Sequence, residues 1–295
     1  MQIIFHVSMK NVKEYFQPTT VRDAVMLLRM NPGKGKFIAG GTNIVVEKDP
    51  TLDYLIDLHR LGLEYLIETG DCIRIGACTT IQDLYKSPLI ATLADGLLAQ
   101  VASWFASRQI RNVATIGGNI AEGLSAADTA PALLAMDALV VIVGETERTV
   151  PIAEFYCKDG GTILHDELIK EFIVPKEFQQ ARGKFLKNSK THEDISIVSV
   201  TTTVLMNGPR CQKVRIALGA VAPIPIRIPQ AERIIEGQVP TKAFIEQAAE
   251  TVVEHIHPID NFRASAEFRR NISRIYTIQA LSECLNVRYA NFGHN

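Results

Sequence analysis

Two stretches carry residue types suited to holding an anion against the main chain. They are Ile38-Ala39-Gly40-Gly41-Thr42-Asn43-Ile44 and Arg108 to Ile120, which contains Thr115-Ile116-Gly117-Gly118-Asn119. In each, a β-branched and apolar run leads into a Gly-Gly pair flanked by Thr or Asn. Glycine can take φ > 0 and turn successive N–H groups into a concave nest, so a phosphate can sit against the peptide itself. Thr42, Asn43, Thr115 and Asn119 set hydroxyl and amide donors beside those nests. Taken singly, either pair reads first as a tight turn or bulge. Taken together, they point to a pyrophosphate held between two loops, and so to a dinucleotide.

Other chemistries find little support. No Gly-Lys-Ser/Thr follows either pair and no Gly-x-Gly-x-x-Gly is present, so neither a P-loop nor a Rossmann fingerprint applies. Ser125 and Ser199 lack a Gly-x-Ser-x-Gly elbow, and His255-x-His257 has no carboxylate or cysteine at ligand spacing. The five cysteines (72, 78, 157, 211 and 284) are scattered without a Cys-x-x-Cys, which argues against a disulfide framework, a zinc site or an iron–sulfur cluster in this chain. A nucleotide cradle without acid, base or metal motifs leaves the reactive chemistry to the cofactor. Arg108 and Arg111 can neutralise pyrophosphate or other cofactor charge, or pair with a carboxylate of a neighbouring unit. Asp128 can cap the helix that follows it or accept from ligand hydroxyls.

The elements that must position these loops follow from periodicity. Val21 to Leu28 is apolar at helical spacing behind a Thr19 or Thr20 cap, and Pro32-Gly33 ends it. Residues 36–38 form a strand feeding the first loop, and Tyr54 to Leu58 forms another. Tyr65 to Glu68 and Cys72 to Ala77 alternate around Gly70-Asp71 as a hairpin, and Thr79-Thr80 cap a helix from Ile81. Residues 89–106 read as a helix leading to the second loop, with Trp104 as core filling. Asp128-Thr129-Ala130-Pro131 opens a helix to Ala138, because proline is tolerated only in a first turn. Gly160-Gly161 has no feeding strand and reads as a turn. Beyond residue 176, Lys184 to Leu218 suggests antiparallel strands. Helices follow at Ile228 to Gly237, at Thr241 to His255 with Phe244, Ala248 and Val252 on one face, and at Ala264 to Leu285 with Phe268, Ile272, Ile275 and Tyr276 on one face.

The chain has 295 residues, 47% hydrophobic and 21% charged, with a net charge of −1. That balance is globular and gives no field for nucleic acid or anionic membrane. The apolar runs are strand-length, far short of the roughly 20 residues of a membrane span. The first ten residues lack a basic start and a long apolar core, so no signal peptide is expected and a cytoplasmic location is implied.

The run Gln109-Ile110-Arg111-Asn112 leading to Thr115-Ile116-Gly117-Gly118-Asn119 resembles the FAD-binding subunit of the molybdenum hydroxylases, the family of xanthine, carbon monoxide and nicotinate dehydrogenases. Ala39-Gly40-Gly41-Thr42, Ser125-Ala126-Ala127-Asp128 and Arg263 to Arg270 share in the likeness. The resemblance runs from Tyr15 nearly to the end. It implies an α+β protein: a two-subdomain FAD-binding fold of the vanillyl-alcohol oxidase type (1–62 and 63–175), then a C-terminal domain of antiparallel sheet plus helices (176–295). It implies non-covalent FAD held by Ile38, Ala39, Gly40, Gly41, Thr42, Asn43, Ile44, Thr115, Gly117, Gly118, Asn119, Asp128, Leu168 and Lys187, with Leu168 along the ring edge. It further implies a small [2Fe–2S] subunit that delivers electrons, a large molybdopterin subunit, a dimer of heterotrimers, and NAD⁺ or another acceptor. Where many relatives carry Tyr, Lys and Arg before an Asp-Ile-Ala/Ser turn, this chain has Phe185, Lys187, Lys190 and Asp194, which leaves the acceptor open. A stand-alone flavin oxidoreductase and a nucleotide-binding assembly module without redox activity are the alternatives.

Overall fold

The computed structural model describes residues 11–289; the N-terminal ten, on which the signal-peptide reading falls, lie outside them. Three sheets succeed one another along the chain. The first is parallel, in the order β1-β3-β2, from β1 (Glu14–Phe16), β2 (Gly35–Ile38) and β3 (Tyr54–Asp57). Helix α1 (Val21–Met30) crosses between β1 and β2. Thr20 caps it by accepting from the Asp23 amide, and Ala24, Val25 and Leu28 are buried. The short α2 (Ile44–Glu47) follows the first glycine loop.

The second sheet is antiparallel, in the order β4-β5-β8-β6-β7. Its strands are β4 (Leu66–Thr69), β5 (Cys72–Gly76), β6 (Leu139–Val143), β7 (Glu147–Pro151) and β8 (Leu168–Pro175). Between β5 and β6 lie α3 (Ile81–Lys86), α4 (Pro88–Ala91), α5 (Leu97–Ser103), α6 (Arg108–Arg111), α7 (Ile116–Ala121) and α8 (Thr129–Ala135). Residues 89–106 are therefore not one helix. Ala94, Asp95 and Gly96 are successive left-handed residues, and Gln100 ties the break to the next sheet through its bonds to Asp95 O, Gly183 O and the Phe185 amide. A local periodicity cannot register such a tertiary tie.

The third sheet, β12-β11-β10-β9, is antiparallel and comprises β9 (Arg182–Asn188), β10 (Val198–Asn207), β11 (Arg210–Gly219) and β12 (Ile226–Arg227). Helices α9 (Pro229–Ile235), α10 (Lys242–His255) and α11 (Ala266–Leu285) follow. α8 packs on β10 and β11, while α9 touches β11 and α11 spans β9 and β10. The side chains of β10 alternate accordingly: Thr203 donates to Ala135 O of α8, and Thr202 faces Cys284 of α11.

Two helix faces differ from their sequence reading. In α10 the buried set is Ile245, Ala248, Ala249 and Val252, with Phe244 only half-buried. In α11, Phe268 and Ile275 are exposed, while Arg269, Ser273 and Thr277 are buried. Their polarity is largely satisfied, although Arg269 Nε is buried without a partner among the described residues. Ser273 and Thr277 bond to the carbonyls four residues back, and the Arg269 guanidinium donates to Ile197 O, Ala220 O and Asn261. A buried polar group so paired costs little.

Candidate functional site

The first loop leaves the carboxyl end of β2, the side on which open parallel sheets commonly bind ligands. Leu58 N donates to Ile38 O, which ends the strand pairing. Gly41 then takes φ 68°, and α2 begins at Ile44. Ile38 and Ile44 pack on Leu52 and Leu55, and Ala39 on the cluster beneath α1. Within this curve, none of the N–H groups of Gly40, Gly41, Thr42, Asn43 and Ile44 donates to a described residue. Five consecutive unpaired amides at a strand end form an anion-binding concavity.

The second loop is built differently. Gly117 and Gly118 do not take positive φ; they lie in the first turn of α7. Thr115 is the cap, its hydroxyl accepting from Gly118 N at 3.1 Å. The amides of Ile116, Gly117 and Asn119 donate to Thr79 O, Ala77 O and Thr115 O. The expectation of a second nest is therefore corrected: these amides serve the fold. Gly117 is glycine because a Cβ there would come within 2.6 Å of Ala77. Gly118 is exposed, and a Cβ there would meet only Thr115 Oγ1, at 3.0 Å. The second loop thus offers space rather than backbone donors.

The two loops adjoin. A Cβ on Gly40 would lie 1.9 Å from Val113 O and 2.9 Å from Ala114 Cα, so the first loop rests directly on the backbone leading into the second. Farther along, Asn43 Nδ2 donates to Glu122 Oε2 at 2.7 Å, from the α2 side to the end of α7. Glu122, with Lys36 and Glu47 beside it, had no signal in the sequence, because 79 residues separate it from Asn43.

The remaining predicted contacts lie deeper. Asn119 Oδ1 accepts from Thr129, which leaves its Nδ2 donor without a partner among the described residues. Asp128 makes no cap bond. Its carboxylate accepts from Lys187 Nζ at 2.8 Å and from Ser196, and Lys187 also donates to Trp104 O. The Lys187 and Asp128 side chains are 1% and 8% exposed. Burial pushes the Asp128 carboxyl up, against the pull of Lys187 and Ser196. Leu168 opens β8 and is buried with Leu58, Cys78 and Ile56 in the core under α1. Phe185 is likewise core, Lys190 is exposed, and Asp194 accepts from Thr191 N. Trp104 is not core filling: it is 37% exposed and stacks on His192 at 4.4 Å. Arg111 bonds to Gln82 Oε1, Phe105 O and Ala106 O, carbonyl partners rather than a carboxylate. Gly160 and Gly161 form a turn closed by Cys157 N to Gly161 O.

The open amides of residues 40–44 and the room over Gly118 fit the pyrophosphate of a flavin dinucleotide. Among the described residues no group of three or more His, Cys, Asp or Glu could hold a metal ion. Fold and site together define an FAD-binding flavoprotein: two lobes that meet at the glycine loops, followed by a C-terminal α+β domain. A family model described as the FAD binding domain in molybdopterin dehydrogenase matches residues 8–177, and one described as the CO dehydrogenase flavoprotein C-terminal domain matches residues 184–284. The chain belongs to this family, the FAD-binding medium subunits of the xanthine dehydrogenase and carbon monoxide dehydrogenase type, and is an oxidoreductase subunit.

It is 32% identical over 282 residues to the putative xanthine dehydrogenase FAD-binding subunit of Escherichia coli strain K12, covering 92% of this chain and 95% of that one. It is 29% identical over 283 residues to the carbon monoxide dehydrogenase medium chain of Hydrogenophaga pseudoflava, covering 94% and 97%. A solved structure of the carbon monoxide dehydrogenase of that organism superposes with a TM-score of 0.89 at 29% identity, covering 93% of this chain and 98% of that chain.

Proposed function

We propose that this chain is the FAD-carrying electron-transfer subunit of a xanthine dehydrogenase-like molybdenum hydroxylase. The observation that carries the reading is the junction of the two glycine loops, with five amides that donate to no described residue on one side and the open face of Gly118 on the other. Residues 38–44 and Gly118 hold the pyrophosphate. Thr115 and Asn119 shape α7 and the start of α8 around it, and Lys187 and Asp128 fasten the C-terminal domain behind it. When bound, FAD supplies one-electron acceptance and two-electron hydride delivery. The protein's part is to hold it and to govern access.

Electrons arrive from a [2Fe–2S] subunit, which a large molybdopterin subunit reduces in turn, and leave to NAD⁺ or another acceptor. The assembly is a dimer of heterotrimers in the cytoplasm. No described helix is long and apolar enough to cross a membrane. The test is purification of the chain with and without its partners. The expected result is a yellow protein that co-purifies with two other chains and turns over no organic substrate alone. Steady turnover by the isolated chain would overturn the proposal in favour of a self-contained flavin oxidoreductase, and a colourless preparation that takes up no FAD would remove the flavin reading.

A further inference from the structure

The first loop is held at two places, and only one is packing. Gly40 sits on the Val113 and Ala114 backbone. Beyond it, Gly41 turns through a left-handed φ, and the amides of residues 40–44 have no described partner. The far end of that free segment is fastened by a side chain. Asn43 Nδ2 donates to Glu47 Oε1 at 2.8 Å within its own helix, and to Glu122 Oε2 at 2.7 Å across the cleft. Lys36 Nζ lies 3.5 Å from Glu47 and 3.8 Å from Glu122.

We infer that Asn43 and Glu122 form a latch across the mouth of the nucleotide cleft, with Glu122 as a positioning residue that sets the free amides of residues 40–44 against α7. The inference rests on the FAD reading of the cleft. Charge alone does not account for Glu122. Two carboxylates and one ammonium leave a net negative cluster beside the place where a diphosphate is held, and like charges there disfavour binding. What Glu122 contributes is an acceptor for the Asn43 amide. Glutamine can also accept that bond, whereas alanine cannot, so the two substitutions separate hydrogen bonding from charge. Side-chain exposures of 23% for Glu122 and 39% for Lys36 leave the Lys36 attraction largely screened, so the Asn43 bond carries the effect.

The experiment is FAD release from the loaded full-length protein, followed as the rise of free-FAD fluorescence after dilution, for wild type, Glu122→Ala, Glu122→Gln, Asn43→Ala and the Asn43→Ala/Glu122→Ala double variant. Thermal midpoints of the apo forms report folding separately. Loss of one charge-assisted hydrogen bond at a partly exposed site should speed release about 3- to 10-fold in Glu122→Ala. Glu122→Gln should release at the wild-type rate or more slowly, and the double variant should be no faster than the faster single one. Release from Glu122→Gln as fast as from Glu122→Ala, fully multiplicative single effects, or an unchanged rate in Glu122→Ala would each overturn the latch. A wild-type protein that binds no FAD would instead overturn the flavin reading on which it rests.

Discussion

Gly40 and Gly118 test whether the cleft's glycines serve the ligand or the fold, because the same kind of change has opposite consequences at the two positions. A Cβ at Gly40 would lie 1.9 Å from Val113 O and 2.6 Å from Val113 C, where 3.0 Å is the closest real Cβ atoms come, so the loop must retreat by about 1 Å. Both sides of that contact are backbone and neither can swing aside. Overpacking of this kind costs about 1–3 kcal/mol. The stiffer unfolded chain offsets about 0.4–1 kcal/mol of it. At about 2–4 °C per kcal/mol for a domain of this size, Gly40→Ala should lower the melting temperature of the FAD-free protein by a few degrees and weaken FAD retention as a consequence.

At Gly118 the backbone is helical and the space ahead is open except for Thr115 Oγ1 at 3.0 Å. Gly118→Val should leave the FAD-free protein folded, at a cost of no more than about 2 kcal/mol from crowding the Thr115 cap, yet empty the site by occupying the volume assigned to the pyrophosphate. The assay pairs the flavin-to-protein absorbance ratio after purification with differential scanning calorimetry of the stripped proteins. Full flavin occupancy in Gly118→Val would refute the site, and an unaltered melting temperature in Gly40→Ala would refute the loop contact.

Lys187→Met removes one partner of a buried ion pair and should destabilise by about 3–5 kcal/mol, measured by urea denaturation. Burial already raises the Asp128 carboxyl. A group bound more tightly to its proton in the folded state is least costly at low pH, so the loss should be smaller at pH 5 than at pH 8; an equal loss would show that Asp128 is not the group left stranded. Asp57 behaves in the opposite way. Burial pushes its carboxyl up, but hydrogen bonds from the His59 amide, Gln17, the His59 ring and Tyr15 together hold it below the ordinary value. Its stabilising contribution is thus present above pH about 4 and lost as the pH falls through its folded value. Asp57→Asn should accordingly destabilise at pH 7 and converge on wild type in more acidic solution, as read from melting temperatures across that range.

Much of the scaffold was legible in the chain because its signals are local. Thr20 and Thr80 cap the helices their spacing suggested, the hairpin around Gly70-Asp71 forms, and the strands from Lys184 to Leu218 are antiparallel. Reading failed where distant partners decide. A large apolar ring such as Trp104 points to the core by its type alone, but its carbonyl is held by Lys187 and its ring by His192. The buried face of α11 escaped a hydrophobic pattern because its polar residues bond inside the helix or to Ile197 and Ala220.

Alone, the sequence determined that two glycine pairs follow apolar runs and are flanked by Thr or Asn, and that the pattern resembles a flavin subunit. Tertiary structure decided what each glycine is for. Gly41 turns the loop, Gly40 and Gly117 admit a neighbouring backbone, and Gly118 alone of the second pair faces open space. It also decided that Asp128 and Lys187 neutralise each other and that Asn43 reaches Glu122. The physical reason is that a glycine's lack of a side chain is visible in the sequence, while the atom that would collide with one belongs to a residue that only folding brings near.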